Sequence, residues 1–135
     1  MTLDTSALAA IMFGEPEAGL FTRLIHGDDR CLISAASVVE LSIVIESQLG
    51  SDACRECDEF MSRAGIVVEP VTLEQARLAR QAFLNFGKGR HAAGLNFGDC
   101  FSYALAKQTG EPLLFKGNDF AKTDVLSVRI GETRQ

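Results

Sequence analysis

The chain has 135 residues, 47% of them apolar and 23% charged, with 18 acids against 13 Lys and Arg. That length suits one compact domain with a core of its own, and the apolar content excludes disorder as the dominant state. No apolar run approaches the eighteen or so residues of a membrane span. Asp4 stands where the apolar segment of a secretory signal would begin, so the chain is expected to be cytoplasmic with Cys31, Cys54, Cys57 and Cys100 as reduced thiols.

Met1-Thr2-Leu3 is a short apolar opening that runs into Asp4-Thr5-Ser6, all good helix-capping types. A buried helix is predicted over Ala7 to Phe13, stopped by Gly14 and Pro16, and a second from Pro16 to His26. Cys31-Leu32-Ile33 has the length of a strand and feeds a strong helix that ends at Gly50. A further amphipathic helix is predicted over Asp52 to Arg63, then a buried strand at Ile66-Val67-Val68 closed by Pro70. Apolar residues recur at helical spacing from Leu73 to Phe86. A flexible, glycine-rich basic loop follows, and Asp99 opens a helix that ends at Gly110. Pro112 to Phe115 is the next strand, and Val125 to Ile130 the last.

Short apolar strands alternating with helices imply an α/β fold: one domain over residues 1–135, with a mostly parallel sheet of about five strands flanked by helices on both faces. Right-handed crossovers place all strand carboxyl ends on one edge, where ligand sites of such folds lie.

Four carboxylates are candidates for that edge. Asp4 directly follows the first strand and Asp119 follows the strand at Pro112–Phe115. Asp99 sits at a helix start, and Glu40 shares a helix face with Ala36, Ser37, Ile43 and Val44. Helix capping accounts for Asp4 or Asp99 taken singly, and a turn for Asp119. Glu40 is harder to place, because no Lys or Arg lies within one helical turn of it; a solvated face, an ion pair and a metal site remain open. Gathered in one crevice, the four would repel one another and take up protons unless a cation were present. Oxygen donors without His or Cys select hard ions, Mg²⁺ or Mn²⁺, and Mg²⁺ binds alongside phosphate oxygens. The implied chemistry is attack of metal-activated water on a phosphoester.

The net charge of −5 conceals a division: residues 1–71 carry four Arg and twelve acids, whereas residues 72–135 carry nine Lys and Arg against six acids. Lys88, Arg90 and His91 lie in the glycine-rich loop and Lys116 follows a strand toward the proposed site, so these four are candidate contacts to the phosphates of a nucleic-acid backbone, RNA under the resemblance given below. Cys54-x-x-Cys57 lacks a second pair at zinc-site spacing and reads as structural. Cys100 has no evident base beside it, and His26 and His91 are too few for a histidine-based hydrolase. Apolar positions between Asp52 and Arg63 serve either the core or a partner groove.

Met-Thr-Leu-Asp-Thr-Ser-Ala-Leu at the start, Ser-Val-Val-Glu-Leu at 37–41, Asn-Phe-Gly-Asp-Cys-Phe-Ser-Tyr-Ala-Leu-Ala at 96–106 and Pro-Leu-Leu-Phe-Lys-Gly-Asn-Asp-Phe at 112–120 resemble PIN-domain signatures. In order and spacing the chain is similar to the VapC-type toxins of bacterial toxin–antitoxin pairs over nearly its whole length. The resemblance implies a PIN fold, Mg²⁺- or Mn²⁺-dependent endoribonuclease activity, a homodimer and inhibition by a VapB-type antitoxin. It carries metal ligation onto Asp4, Glu40 and Asp99, with Ser6 supporting the first carboxylate. Many relatives place the fourth acid where this chain has Gly117 or Asn118; Asp119 takes that role here, with Asp124 in reserve. Two other classes compete: a PIN-like module that binds RNA or protein without cutting, and a small-molecule phosphatase. The last would need an Asp where the chain has Ser6.

Overall fold

The computed structural model describes residues 1–130, so the end of the domain expected over 1–135 lies outside the described residues. Four short parallel strands form the sheet: β1 (Thr2–Leu3), β2 (Leu32–Ser34), β3 (Val67–Glu69) and β4 (Leu113–Leu114), in the order β3-β2-β1-β4. Six helices connect them: α1 (Thr5–Met12), α2 (Ala18–His26), α3 (Ala35–Leu49), α4 (Ser51–Arg63), α5 (Leu73–Phe86) and α6 (Phe97–Thr109).

The pleat divides the core in two. Leu3 is in register with Ile33 and Leu114, while Thr2 is in register with Leu32 and Leu113. Successive side chains point to opposite faces. Leu3, Ile33 and Leu114 accordingly pack with Leu8, Phe21, Ile25, Leu41 and Ile45 of α1 to α3, with Cys57 and Met61 of α4 in the same cluster. Leu113 packs instead with Ala82, Leu95, Tyr103, Ala104 and Phe120 on the face covered by α5 and α6. Each fully buried Leu or Ile of these clusters contributes about 1.5–3 kcal/mol. Helices therefore cover both faces, as the sequence implies. Among the described residues no helix is long and apolar enough to cross a membrane.

Local signals set the helix ends. The Ser34 hydroxyl accepts from the Ala36 amide at the start of α3, and Thr72 does the same for Gln75 at the start of α5. Gly110 closes α6 at φ +73°, a left-handed position at which a Cβ would be strained.

Three expectations are corrected. The strand predicted over Val125–Ile130 is reduced to one parallel bridge, Leu113 with Ser127. With β4 only two residues long, there is no edge for more. The strand at Ile66–Val68 is shifted to Val67–Glu69 and lies at the sheet edge, with Val67 and Val68 exposed rather than buried. An apolar run alone does not say whether a strand is central or lateral. The glycine-rich loop, expected to be flexible, is held by backbone bonds: Lys88 N donates to Leu95 O (2.9 Å), Leu95 N to Phe86 O (2.9 Å), and Arg90 and His91 amides to Gly87 O.

Candidate active site

The carboxyl ends of β1, β2 and β4 deliver the starts of α1 and α3 and the loop after Leu114 to one edge of the sheet. There the first turn of α6 joins them. Asp4 is the N-cap of α1: its Oδ2 accepts from the Ser6 amide at 3.0 Å and its Oδ1 from the Ser102 hydroxyl at 2.5 Å. Only 4% of Asp4 is exposed, so these two donors stand in for water at a buried carboxyl group. Ser102 lies one turn beyond Asp99 on α6, and the Ser37 hydroxyl stands 3.3 Å behind it. Since the Ser102 proton is directed at Asp4, Ser37 is the donor in that second contact.

Glu40 is half-buried on α3, and its Oε1 accepts from the Thr5 hydroxyl at 2.8 Å. Neither a solvated face nor an ion pair describes it. Its carboxylate lies against Gly98 in the first turn of α6. Asp99 follows as the third residue of that helix rather than its first, held in a capping box: Asp99 N donates to Asn96 Oδ1 (2.9 Å) and Asn96 N donates to Asp99 Oδ2 (3.0 Å).

Burial pushes the Asp99 carboxyl up to about 6, and the negative charges of Asp4, Glu40 and Asp119 add to the rise, while the Asn96 amide opposes it. The other three predicted carboxylates thus all act on Asp99 at a single edge. Asp119 is the exposed member, just before the 3-10 turn Phe120–Lys122. Among the described residues no three His, Cys, Asp or Glu side chains converge into a ready-made metal cage. Asp4, Glu40 and Asp99 are each turned to a protein donor of their own.

Asp124 stands elsewhere. It accepts from the Tyr103 hydroxyl (2.6 Å) and from Lys107 Nζ (3.2 Å), and the Tyr103 bond leads in holding its carboxyl below the ordinary range. It is absent from the charges that act on Asp99. Ser6 supports the site differently from expectation: its amide serves Asp4, whereas its hydroxyl accepts from Lys116 N (3.0 Å) and so anchors the loop that carries Asp119.

The basic candidates divide. Lys116 Nζ is turned to Glu15 (2.9 Å) and Glu17 (3.4 Å), and the Glu15 hydrogen bond leads in raising its pKa. Lys88, Arg90 and His91 are exposed. Arg90 Nε donates to Leu84 O (3.3 Å) with the guanidinium 5.9 Å from the Phe83 ring centre, and His91 meets Phe86 edge-on while its Nδ1 accepts from Ala93 N. Burial pushes the Cys57 and Cys100 thiols up to about 11, so neither is a thiolate near neutral pH.

Thr5, Asn96, Gly98 and Ser102 escaped the sequence reading as members of the site. Two of them had a signal: Asn-x-x-Asp is the spacing of a capping box, and Ser102, three residues after Asp99, must share its helix face.

The sequence matches the PIN domain over residues 1–126. Ribonuclease VapC30 of Mycobacterium tuberculosis is 48% identical over 130 residues, which are 96% of this chain and 99% of that protein. Ribonuclease VapC of Mycolicibacterium smegmatis is 51% identical over 128 residues, 95% of this chain and 99% of its own. Among solved structures, Mycobacterium tuberculosis VapC20, a sarcin–ricin loop cleaving toxin, superposes with a TM-score of 0.77 at 21% identity, covering 95% of this chain and 98% of that one. VapBC2 from Rickettsia felis, bound to a DNA fragment from its promoter, gives a TM-score of 0.72 at 14% identity over 93% of this chain and 94% of that chain.

Proposed function

The chain belongs to the PIN-domain family, as one of its VapC ribonucleases, and from that premise we propose that it is the toxin of a toxin–antitoxin pair and hydrolyses RNA phosphodiester bonds with Mg²⁺, for which Mn²⁺ can substitute. One observation carries the metal-dependent reading: burial and three other carboxylates raise Asp99 at the carboxyl edge of the sheet, with no Lys or Arg among the causes. An all-oxygen donor set with uncompensated negative charge fits a hard divalent cation. Asp4, Glu40 and Asp99 would hold it, with Asp119 at the rim.

When bound, the ion supplies Lewis-acid polarisation of the phosphodiester and lowers the pKa of the attacking water. The chain's own task is orientation. Ser102 and the Ser6 amide fix Asp4, Thr5 fixes Glu40 and the Asn96 amide fixes Asp99. A carboxylate oxygen that accepts one hydrogen bond retains a second lone pair for a ligand, so these bonds position the set without consuming it. Lys88, Arg90 and His91 are the exposed cationic or titratable groups offered to the RNA backbone, and Lys116 reaches it only by leaving Glu15 and Glu17.

The partner we assign is a VapB-type antitoxin, supported by a fold shared with toxin–antitoxin complexes of Klebsiella pneumoniae and Rickettsia felis. A homodimer acting in the cytoplasm completes the reading; exposed Val39, Ile43 and Phe97 supply apolar surface for such contacts. The test is cleavage of a labelled structured RNA by the purified chain in Mg²⁺, in EDTA, and by Asp4→Asn and Asp99→Asn. Loss in EDTA and in both variants is expected. Undiminished cleavage in EDTA, or full activity of either variant, overturns the mechanism. RNA binding without cleavage in Mg²⁺ supports the non-cutting module instead.

A further inference from the structure

Gly98 is the second residue of α6, and no positive φ accounts for a glycine there. In the first turn of a helix glycine is a poor choice, since it gives up more conformational freedom than alanine on folding. The neighbour explains it. A Cβ built on Gly98 would fall on the Glu40 carboxylate, 2.5 Å from Oε1 and 2.6 Å from Cδ, well inside any normal contact. No backbone atom is among the three nearest atoms it would strike.

We propose that Gly98 is a positioning residue: its bare Cα is the seat on which the Glu40 carboxylate rests beside Asp99. This rests on the metal-dependent reading above and adds to it a requirement at a position that bears no functional group. Glu40 is tethered on one side by Thr5 and has Gly98 on the other. Amide groups in the first turn of a helix carry partial positive charge, which favours a carboxylate at that place. Asp99, the next residue, is locked by its own capping box and cannot follow Glu40 if it moves.

The obstructing atoms belong to the far end of a flexible side chain. A methyl group at residue 98 would therefore displace the carboxylate and leave the backbone alone. The displaced group has space to enter: a cavity of about 260 Å³ lined by Ala36, Val39, Glu40, Ile43, Phe97 and Phe101 opens on the same side. Stability and function should separate at this position.

The experiment compares the unmodified chain, Gly98→Ala, Glu40→Gln and the double variant by three readouts: thermal unfolding, Mn²⁺ affinity by calorimetry in the absence of RNA, and RNA cleavage. Gly98→Ala is expected to unfold at the same temperature or higher while Mn²⁺ affinity and cleavage each fall about 10- to 100-fold, the usual effect of removing a ligand's support. In the Glu40→Gln background the alanine should produce little further loss, because both changes act through one carboxylate. Gly98→Ala with undiminished Mn²⁺ affinity and cleavage, or losses that multiply in the double variant, overturns the seat. If Glu40→Gln itself leaves Mn²⁺ affinity and cleavage intact, the metal-dependent reading fails together with it. Loss in Glu40→Gln alone refutes only the role of Gly98.

Discussion

Replacing Asp99 by Asn should abolish cleavage and, in the metal-free chain, make the fold more stable near neutral pH. Burial and the charges of Asp4, Glu40 and Asp119 raise the Asp99 carboxyl from 3.8 to about 6. Between those two values the folded chain binds more protons than the unfolded one, so stability falls as pH rises through that window. Above about pH 6 the whole penalty is present; below pH 3.8 it is gone. That rise corresponds to about 3 kcal/mol in a dry site, and because Asp99 is only half-buried, solvent screening leaves about 2 kcal/mol. Asn is uncharged throughout and can still accept from the Asn96 amide, but it forfeits a few tenths of a kcal/mol of favourable interaction with the start of α6. Urea unfolding in EDTA should therefore show Asp99→Asn near parity with the unmodified chain at pH 4 and about 2 kcal/mol more stable at pH 8. Adding Mg²⁺ should narrow the gap at pH 8 by stabilising only the unmodified chain. A variant equally destabilised at both pH values would refute the electrostatic argument, since a lost packing or capping contact has no such pH dependence.

Other expectations follow from the same geometry. Asp119→Asn should lower cleavage at least tenfold whereas Asp124→Asn should not, because Asp124 is bound to Tyr103 and Lys107 and exerts no field on Asp99; steady-state RNA cleavage distinguishes them, and the reverse order would move the fourth acid. Ser102→Ala removes one of two donors from a buried carboxylate, so unfolding free energy should fall by about 1.5–3 kcal/mol and Mn²⁺ affinity with it; a variant of unchanged stability would mean that the Ser102 hydroxyl does not hold Asp4. Lys116→Ala should leave cleavage within about threefold, its ammonium being exposed and turned to Glu15 and Glu17, while Lys88→Ala combined with Arg90→Ala should weaken RNA binding and lower its salt dependence. Filter binding over a salt series checks the pair.

Three of the four carboxylates could be read from the chain because each stands at an element boundary that local chemistry marks. Asp4 follows an apolar triplet, Asp99 lies in the first turn of a helix ended by Gly110, and Asp119 follows a strand and Gly117. Glu40 was visible for the opposite reason, as a charge out of place on a small and apolar helix face. What could not be read is the set of groups that hold them. Thr5 reaches Glu40 across 35 positions and Ser102 reaches Asp4 across 98. Such pairings depend on how helices cross the sheet, and nothing in either segment's own pattern encodes the distance. The partners of Lys116 could not be read on the same ground. Its place after a strand was right, but the acids that capture its ammonium come from the turn between α1 and α2. The strand at Val125–Ile130 failed because pairing requires a partner of equal length, and β4 supplies two residues.

The net acidity of the chain then has two separate meanings. In the site it is a burden carried by the fold: Asp99 is held beside three carboxylates at an energy that a neutral side chain would not require. Asp4, Glu40 and Asp99 are tied down locally by Ser102, Thr5 and Asn96, which hold them from relaxing away from one another toward solvent. Electrostatic strain retained in this manner is released only by a proton or a cation, and near neutral pH the cation is the more effective of the two. The crowding that these tethers maintain would therefore raise the affinity of the chain for a divalent ion. Removing a tether, as in Ser102→Ala, or displacing a carboxylate from its seat, as in Gly98→Ala, should weaken ion binding even where every carboxylate remains.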